Sequence, residues 1–203
     1  MSVSAPATRP MLIAEYLERE FLAQTKSEFW DGELISMAGA SEPHSRIQMN
    51  IVGLVLSKLQ GTPCRLYGSD LRVRLQNRPR YRYPDLMILC GKPEFDEADA
   101  RKMSVINPRV IVEILSESTE SEDRGRKFDD YRSIPSFEEY VMVAQDSGRV
   151  ESWWRQPDGN WKISVWIGLE TAARIESLAI ELPMKRVYED VELPSTPPPE
   201  AVK

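Results

Sequence analysis

Pro84–Asp85 opens one apolar run, LMILC, and Glu113 stands in the middle of another, VIVEIL. A charge entering a core is costly unless it is paired. Two carboxylates on neighbouring apolar strands repel each other unless one takes a proton or a cation lies between them. Oxygen ligands in a chain whose only histidine is His44 favour magnesium or manganese over zinc. Each acid alone has a structural alternative: Asp85 could cap a turn, and Glu113 could pair with an arginine. Together they mark a candidate site. A third element follows in EDRGRKFDDY, where Asp123, Lys127 and Tyr131 fall at i, i+4 and i+8 on one helical face. The plain reading is a surface ion pair of about 0.3–0.5 kcal/mol. The sharper reading follows from the helix starting a few residues after Glu113. Lys127 then points at the site, to stabilise charge on a phosphate or orient an attacking water.

The elements that must carry these residues are legible from periodicity. Residues 11–23 read as a helix. Asp31–Gly32 is a hairpin turn between strands at 28–30 and 33–37. Residues 41–61 form a long helix with Ser41 as N-cap, Pro43 in the first turn and Gly61 as stop. Its apolar face is Ile47, Ile51, Leu54, Val55 and Leu59. CRLYG is a short strand, and SDLRVRLQ alternates, with Asp70, Arg72 and Arg74 opposite Leu71, Val73 and Leu75. PDLMILC and RVIVEIL are continuous apolar runs, as in central strands covered on both faces. A helix over 121–133, a strand over 137–144, a hairpin around Asp158–Gly159 and a short helix near 183–188 complete the chain. The order predicts an α/β or α+β fold with a mixed central sheet.

The chain has 203 residues, of which 41% are hydrophobic and 29% charged, enough for one domain with a real core. Residues 11–193 read as that domain, with loose ends at 1–10 and in the proline-rich 194–203. No apolar run reaches the ~20 residues of a membrane helix, and the N-terminus lacks an apolar signal segment. No membrane association and a cytoplasmic location are therefore expected. Cys64 and Cys90 read as buried, reduced thiols. The net charge of −6 argues against nonspecific coating of nucleic acid. It leaves room for a local basic patch, and Arg72, Arg74, Arg78, Arg80 and Arg82 form a candidate.

Pro84–Asp85 followed by Glu113–Leu115 resembles the PD-(D/E)XK nuclease superfamily. The wider run resembles its Uma-two-type restriction endonuclease branch. The matching pieces are FWDGELISMAGASEPHS, GSDLRVRL, YRYPDLMILCG, VIVEILSEST, DRGRKFDDYRSIPSFEEYVMV and DGNW, spread over residues 11–190. Each is weak alone; their order and spacing together are specific. The resemblance implies a restriction-endonuclease-like fold, a mixed sheet flanked by helices. It also implies Mg2+ or Mn2+ and hydrolysis of DNA phosphodiester bonds. By position, Asp85 is the motif aspartate, Glu113 the motif acid, and the backbone carbonyl of Ile114 a further metal ligand. The usual lysine position holds Leu115, and Lys127 from the next helix fits the vacated role. His44 stands where many relatives of the wider superfamily carry an acid, which gives it a catalytic or a merely structural part.

Glu33, Asp70, Asp123 and Tyr131 are expected at most to support the site, with ordinary turn chemistry the alternative for Asp70. Arg72, Arg74 and Arg82 are candidate DNA-backbone contacts, the alternative for Arg72 and Arg74 being the solvated face of a strand. Trp153, Trp154, Trp161 and Trp166 suggest cross-strand packing or a dimer contact rather than base stacking. A homodimer would suit cleavage of both strands. Two rivals share the sequence features. One is a catalytically degenerate nuclease fold acting as a nucleic-acid-binding or assembly module, which Leu115 and the acidic charge support. The other is a two-carboxylate glycosidase, which the resemblance disfavours.

Overall fold

The computed structural model describes residues 9–37, 39–116 and 120–194. The loose ends expected at 1–10 and 194–203 lie, apart from residues 9, 10 and 194, outside the described residues. Helix α1 (Ile13–Leu22) buries Tyr16 and Leu17. Strands β1 (Ser27–Trp30) and β2 (Glu33–Ser36) follow as the expected hairpin, in the register Trp30↔Glu33. Asp31 and Gly32 both adopt positive φ, 51° and 104°. A Cβ on Gly32 would lie 2.5 Å from that of Pro10, so the turn needs glycine twice over. Helix α2 (Glu42–Leu59) is capped by Ser41, whose hydroxyl accepts from the His44 amide.

Strands β3 (Cys64–Gly68), β4 (Arg72–Leu75), β5 (Arg80–Arg82), β6 (Leu86–Cys90), β7 (Ser104–Val105) and β8 (Val110–Leu115) come next. A helical segment crosses over from β8: α3 (Glu120–Glu122), a wide π-type turn (Asp123–Lys127) and α4 (Phe128–Tyr131). An unbroken α-helix was the expectation; the widened turn is the difference, and such turns favour functional sites. Strands β9 (Glu139–Ala144), β10 (Arg149–Arg155), β11 (Trp161–Ile167), β12 (Ala172–Ile175) and β13 (Ile180–Pro183) and helix α5 (Met184–Val187) close the fold.

The mixed sheet expected from the alternating elements is present. Its order is β11-β10-β9-β8-β6-β3, with β8 and β9 parallel across the helical crossover and the other pairs antiparallel. A second sheet, β2-β1-β5-β4-β7, stands beside it. One face of the central sheet packs Ile88, Val112 and Val141 against Ile47, Ile51 and Val55 of α2 and against the β12–β13 hairpin. The other packs Met87, Ile111 and Met142 against Phe128 and Tyr131 of the crossover and Val73 and Leu75 of the second sheet. Among the described residues no helix is long and apolar enough to cross a membrane.

Two expectations are corrected. First, Arg72 and Arg82 are not on a solvated face, and neither can meet a DNA backbone: their side chains are 2% and 0% exposed. Arg72 pairs with Asp99 at 2.9 Å and lies among the rings of Tyr16, Tyr81 and Tyr83. Arg82 pairs with Glu28 at 2.9 Å and Asp130 at 2.6 Å. Charges this deep persist only when paired and hydrogen-bonded, and α1 and α4 supply the cover that the alternation of one strand cannot reveal. Arg74 is mostly buried too, 3.8 Å from Asp96. Second, Cys64 and Cys90 are not reduced thiols. The β3–β6 register sets them opposite each other, and they form a disulfide.

Buried Glu139 belongs to a different junction. Its carboxylate accepts from the Ser177 amide at 2.7 Å, the Glu176 amide at 2.8 Å and the Ser152 hydroxyl. Burial nonetheless pushes its carboxyl above the ordinary carboxylate range, against the pull of those donors.

The disulfide closes a sequence separation of 26 residues. Cys90→Ser should therefore lower the unfolding free energy by about 3–4 kcal/mol in the chain-entropy account. Denatured, unreduced protein should take up no alkylating reagent; two alkylated thiols would refute the bridge. The folded state holds the Glu139 proton more tightly than the unfolded chain, so this group's stabilisation is present at low pH. It is lost as pH rises from the ordinary carboxylate value through the folded one. Urea unfolding across that window should show the parent losing stability relative to Glu139→Gln as pH rises.

Candidate active site

The β6–β8 ladder ends at Leu86↔Val112, so the next residues, Asp85 and Glu113, emerge side by side where the strands part. Asp85 takes over the ladder's work with its side chain: Oδ2 accepts the Ile114 amide at 2.7 Å. The same oxygen lies 3.1 Å from His44 Nε2, and Gln48, one turn further along α2, donates to the Asp85 carbonyl at 2.8 Å. The Asp85 amide is 3.4 Å from Glu113 Oε2.

Glu113 is buried, and its Oε1 holds the helical face expected from the sequence. The Tyr131 hydroxyl donates to it at 3.0 Å, and Lys127 Nζ lies 3.2 Å away. Lys127 also pairs with Asp123 at 2.7 Å. Lys127 and Tyr131 thus meet on Glu113, with Asp123 beside them on Lys127, on the one face that i, i+4, i+8 spacing predicts. Leu115 joins the apolar cluster instead. Burial pushes the Glu113 carboxyl well above the usual carboxylate range; Lys127 pulls against it, while Asp85 and Asp123 push further up. Burial alone would lower the Lys127 ammonium, but Glu113 and Asp123 outweigh it and hold the lysine above its ordinary value. The lysine is therefore a fixed cation at neutral pH. Burial, and then the Glu113 charge, keep the Tyr131 phenol protonated as a donor.

His44, Gln48, Asp85, Glu113, Asp123 and Lys127 line a cleft of about 870 Å³ between the central sheet and the β1–β2 hairpin, with Lys26, Trp30 and Gln145 on its walls. Glu33 is exposed and does not line it. Asp70 turns outward and pairs with Lys26 at 2.5 Å. Glu28, which the sequence analysis did not single out, does belong: it lines the cleft and binds Arg82, the Tyr83 amide and Trp30 Nε1. Its signal was faint, an acid beside Phe29 in a four-residue strand. Gln48 was more findable, since it lies four residues after His44 on the same helix.

The donor set fits a hard divalent cation. One oxygen of each central acid is committed to the protein, Asp85 Oδ2 and Glu113 Oε1. Among the described residues no hydrogen-bond donor is directed at Asp85 Oδ1, and Glu113 Oε2 meets only the long contact from the Asp85 amide. Among the described residues no group of three or more His, Cys, Asp and Glu side chains is arranged to hold a metal. Two carboxylates, with a backbone carbonyl at Ile114, suit an ion that keeps much of its water.

The chain belongs to the Uma2 family, described as "Putative restriction endonuclease", which matches residues 13–185. It is 37% identical over 161 residues to uncharacterized protein sll1609 of Synechocystis sp. (strain ATCC 27184 / PCC 6803 / Kazusa), covering 79% of this chain and 90% of that one. Uncharacterized protein slr1290 of the same organism is 32% identical over 169 residues, covering 83% and 85%. In fold it is similar to the crystal structure of a "putative nuclease belonging to DUF820" from Anabaena variabilis ATCC 29413. The TM-score is 0.69 at 18% identity, covering 88% of this chain and 98% of that one. The nuclease-like fold expected from the motifs is therefore the fold observed.

Lys127→Met would leave Glu113 and Asp123 buried without their cation. Unfolding in chelator should show a loss of about 3–5 kcal/mol. Adding Glu113→Gln should restore a good part of it. Strictly additive losses would show that the pair is not coupled.

Proposed function

We propose that this protein is a divalent-metal-dependent endonuclease that hydrolyses DNA phosphodiester bonds. The observation that carries the reading is Lys127 Nζ, 3.2 Å from Glu113 Oε1. It brings to the two acids the fixed positive charge that Leu115 cannot supply. Membership in a family described as "Putative restriction endonuclease" supports the same conclusion.

Asp85, Glu113 and the carbonyl of Ile114 would hold Mg2+ or Mn2+. When bound, such an ion polarises a scissile phosphate and acidifies water. The chain's own groups do the rest. Lys127 stabilises the negative charge that grows on the phosphoryl oxygens, from a position fixed by two carboxylates. Tyr131 keeps Glu113 Oε1 engaged, leaving Oε2 for the cation. His44 and the Ile114 amide fix Asp85 so that Oδ1 faces the cleft. Gln48 holds the Asp85 backbone. With Arg72 and Arg82 inside the protein, the strand would be met by groups at the cleft mouth, of which Lys26 is the cation on the wall.

Purified protein should nick supercoiled plasmid with Mg2+ or Mn2+ and not with chelator. Asp85→Asn and Lys127→Ala should each lose about 3–4 kcal/mol of barrier stabilisation, a hundredfold or more in rate. Calorimetry with Mn2+ should show binding to the parent and a large loss in Glu113→Gln. Retained metal binding in that variant would refute the ligand set even in an active nuclease. A folded protein that cuts no DNA form with either metal would instead be the degenerate binding or assembly module.

A further inference from the structure

Strand β11 is one outer edge of the central sheet. Its hydrogen-bonding parity is fixed by the bonds flanking it. The Gln156 amide donates to the Asn160 carbonyl at 2.7 Å, and the Gly168 amide to the Gly148 carbonyl at 2.8 Å. Both pairs lie on the ladder that sets Ser164 opposite Ser152. Bonded and non-bonded pairs alternate in an antiparallel ladder. Lys162, Ser164 and Trp166 therefore spend their amides and carbonyls on β10. Trp161, Ile163, Val165 and Ile167 turn theirs outward. The same four share a face. Trp161 packs on Phe128 and Phe137, while Ile163, Val165 and Ile167 are 56%, 43% and 66% exposed. A seven-residue edge with three exposed β-branched residues and one lysine is poorly defended against pairing.

We propose that β11 pairs antiparallel with β11 of a second copy of this chain, about a two-fold axis through Ser164. The two six-stranded sheets become one continuous sheet. Several registers match outward groups to outward groups, and the one centred on Ser164 overlaps the whole strand. In it Ile163 lies opposite the partner's Val165, and Trp161 opposite the partner's Ile167. These are bonded pairs of apolar residues, favourable across strands. Lys162, the only charge on the strand, lies opposite the partner's Trp166, where an ammonium meets an aromatic ring rather than a like charge. A two-fold pairing uses the edge completely, so assembly stops at the dimer. The opposite edge, β3, is shorter and carries Arg65.

Light scattering on the full chain should give twice the chain mass. Ile163→Lys/Val165→Lys sets like charges opposite each other and should yield monomer with an unchanged circular dichroism spectrum. Ile163→Lys/Val165→Glu sets opposite charges together and should restore the dimer. Ser164→Cys sits on the axis and should cross-link into a covalent dimer under mild oxidation, whereas Lys162→Cys should not. A parent that is monomeric at all accessible concentrations overturns the proposal. So does a dimer that survives the double lysine substitution and fails to cross-link at position 164.

Discussion

The site depends on a buried carboxylate that does not lose its charge partner. Glu113 sits in the middle layer of the protein, where desolvation favours the neutral acid. Lys127 opposes that tendency from 3.2 Å and Tyr131 from 3.0 Å. The balance is tense because Asp85 and Asp123 are also near and push the other way. A pair of this kind adds little net stability over apolar residues of the same size. On the proposed reading it is a prepared site, in which a lysine and two acids would serve a cation and an anion.

The second sheet and the crossover helix are tied together around these groups. Arg82 reaches Glu28 on β1, Glu122 on α3 and Asp130 on α4, while Arg80 bridges Asp31 and Asp130. The β1–β2 hairpin is thereby tied to the segment that carries Lys127. Trp30, with Arg82 4.0 Å from its ring and Arg126 at 5.2 Å, closes the same corner. Arg80 and Arg82 thus act inward, as the frame of the cleft wall, while Arg78 stays exposed.

What the sequence made legible was local or periodic. The cap at Ser41, the turn at Asp31–Gly32, the apolar runs of β6 and β8 and the spacing of Asp123, Lys127 and Tyr131 each follow from a few neighbouring residues, and all appear in the structure. What was not legible needs partners far along the chain. Arg72 and Arg82 read as outward-facing DNA contacts because their counter-ions are Asp99 and Asp130, 27 and 48 residues away. Cys64 and Cys90 read as separate thiols because only the β3–β6 register sets them opposite each other. Glu28 read as an ordinary hairpin residue because its neighbours in space, Arg82 and the Tyr83 amide, come from another strand. Alternation tells which residues share a face; it does not tell which face another layer will cover.

The acidity of the whole chain and of the cleft bear on one another. The lining includes Glu28, Asp85, Glu113, Glu122 and Asp123 against Lys26 and Lys127. Arg82 answers Glu28 and Glu122 from behind, and Lys127 answers Asp123. The lining acids outnumber these cations, and among the described residues Asp85 has no lysine or arginine partner. A phosphodiester entering alone would meet that excess and be repelled. On the proposed reading, a divalent ion held by Asp85 and Glu113 would offset that excess, and the cleft would then admit the group that the bare protein would repel. On the proposed reading, metal and nucleic acid would each raise the affinity for the other, since each supplies the charge that the other lacks. An acidic protein with few exposed arginines at its cleft could then act on a polyanion without a basic surface, because the attraction would arise at the reacting phosphate itself.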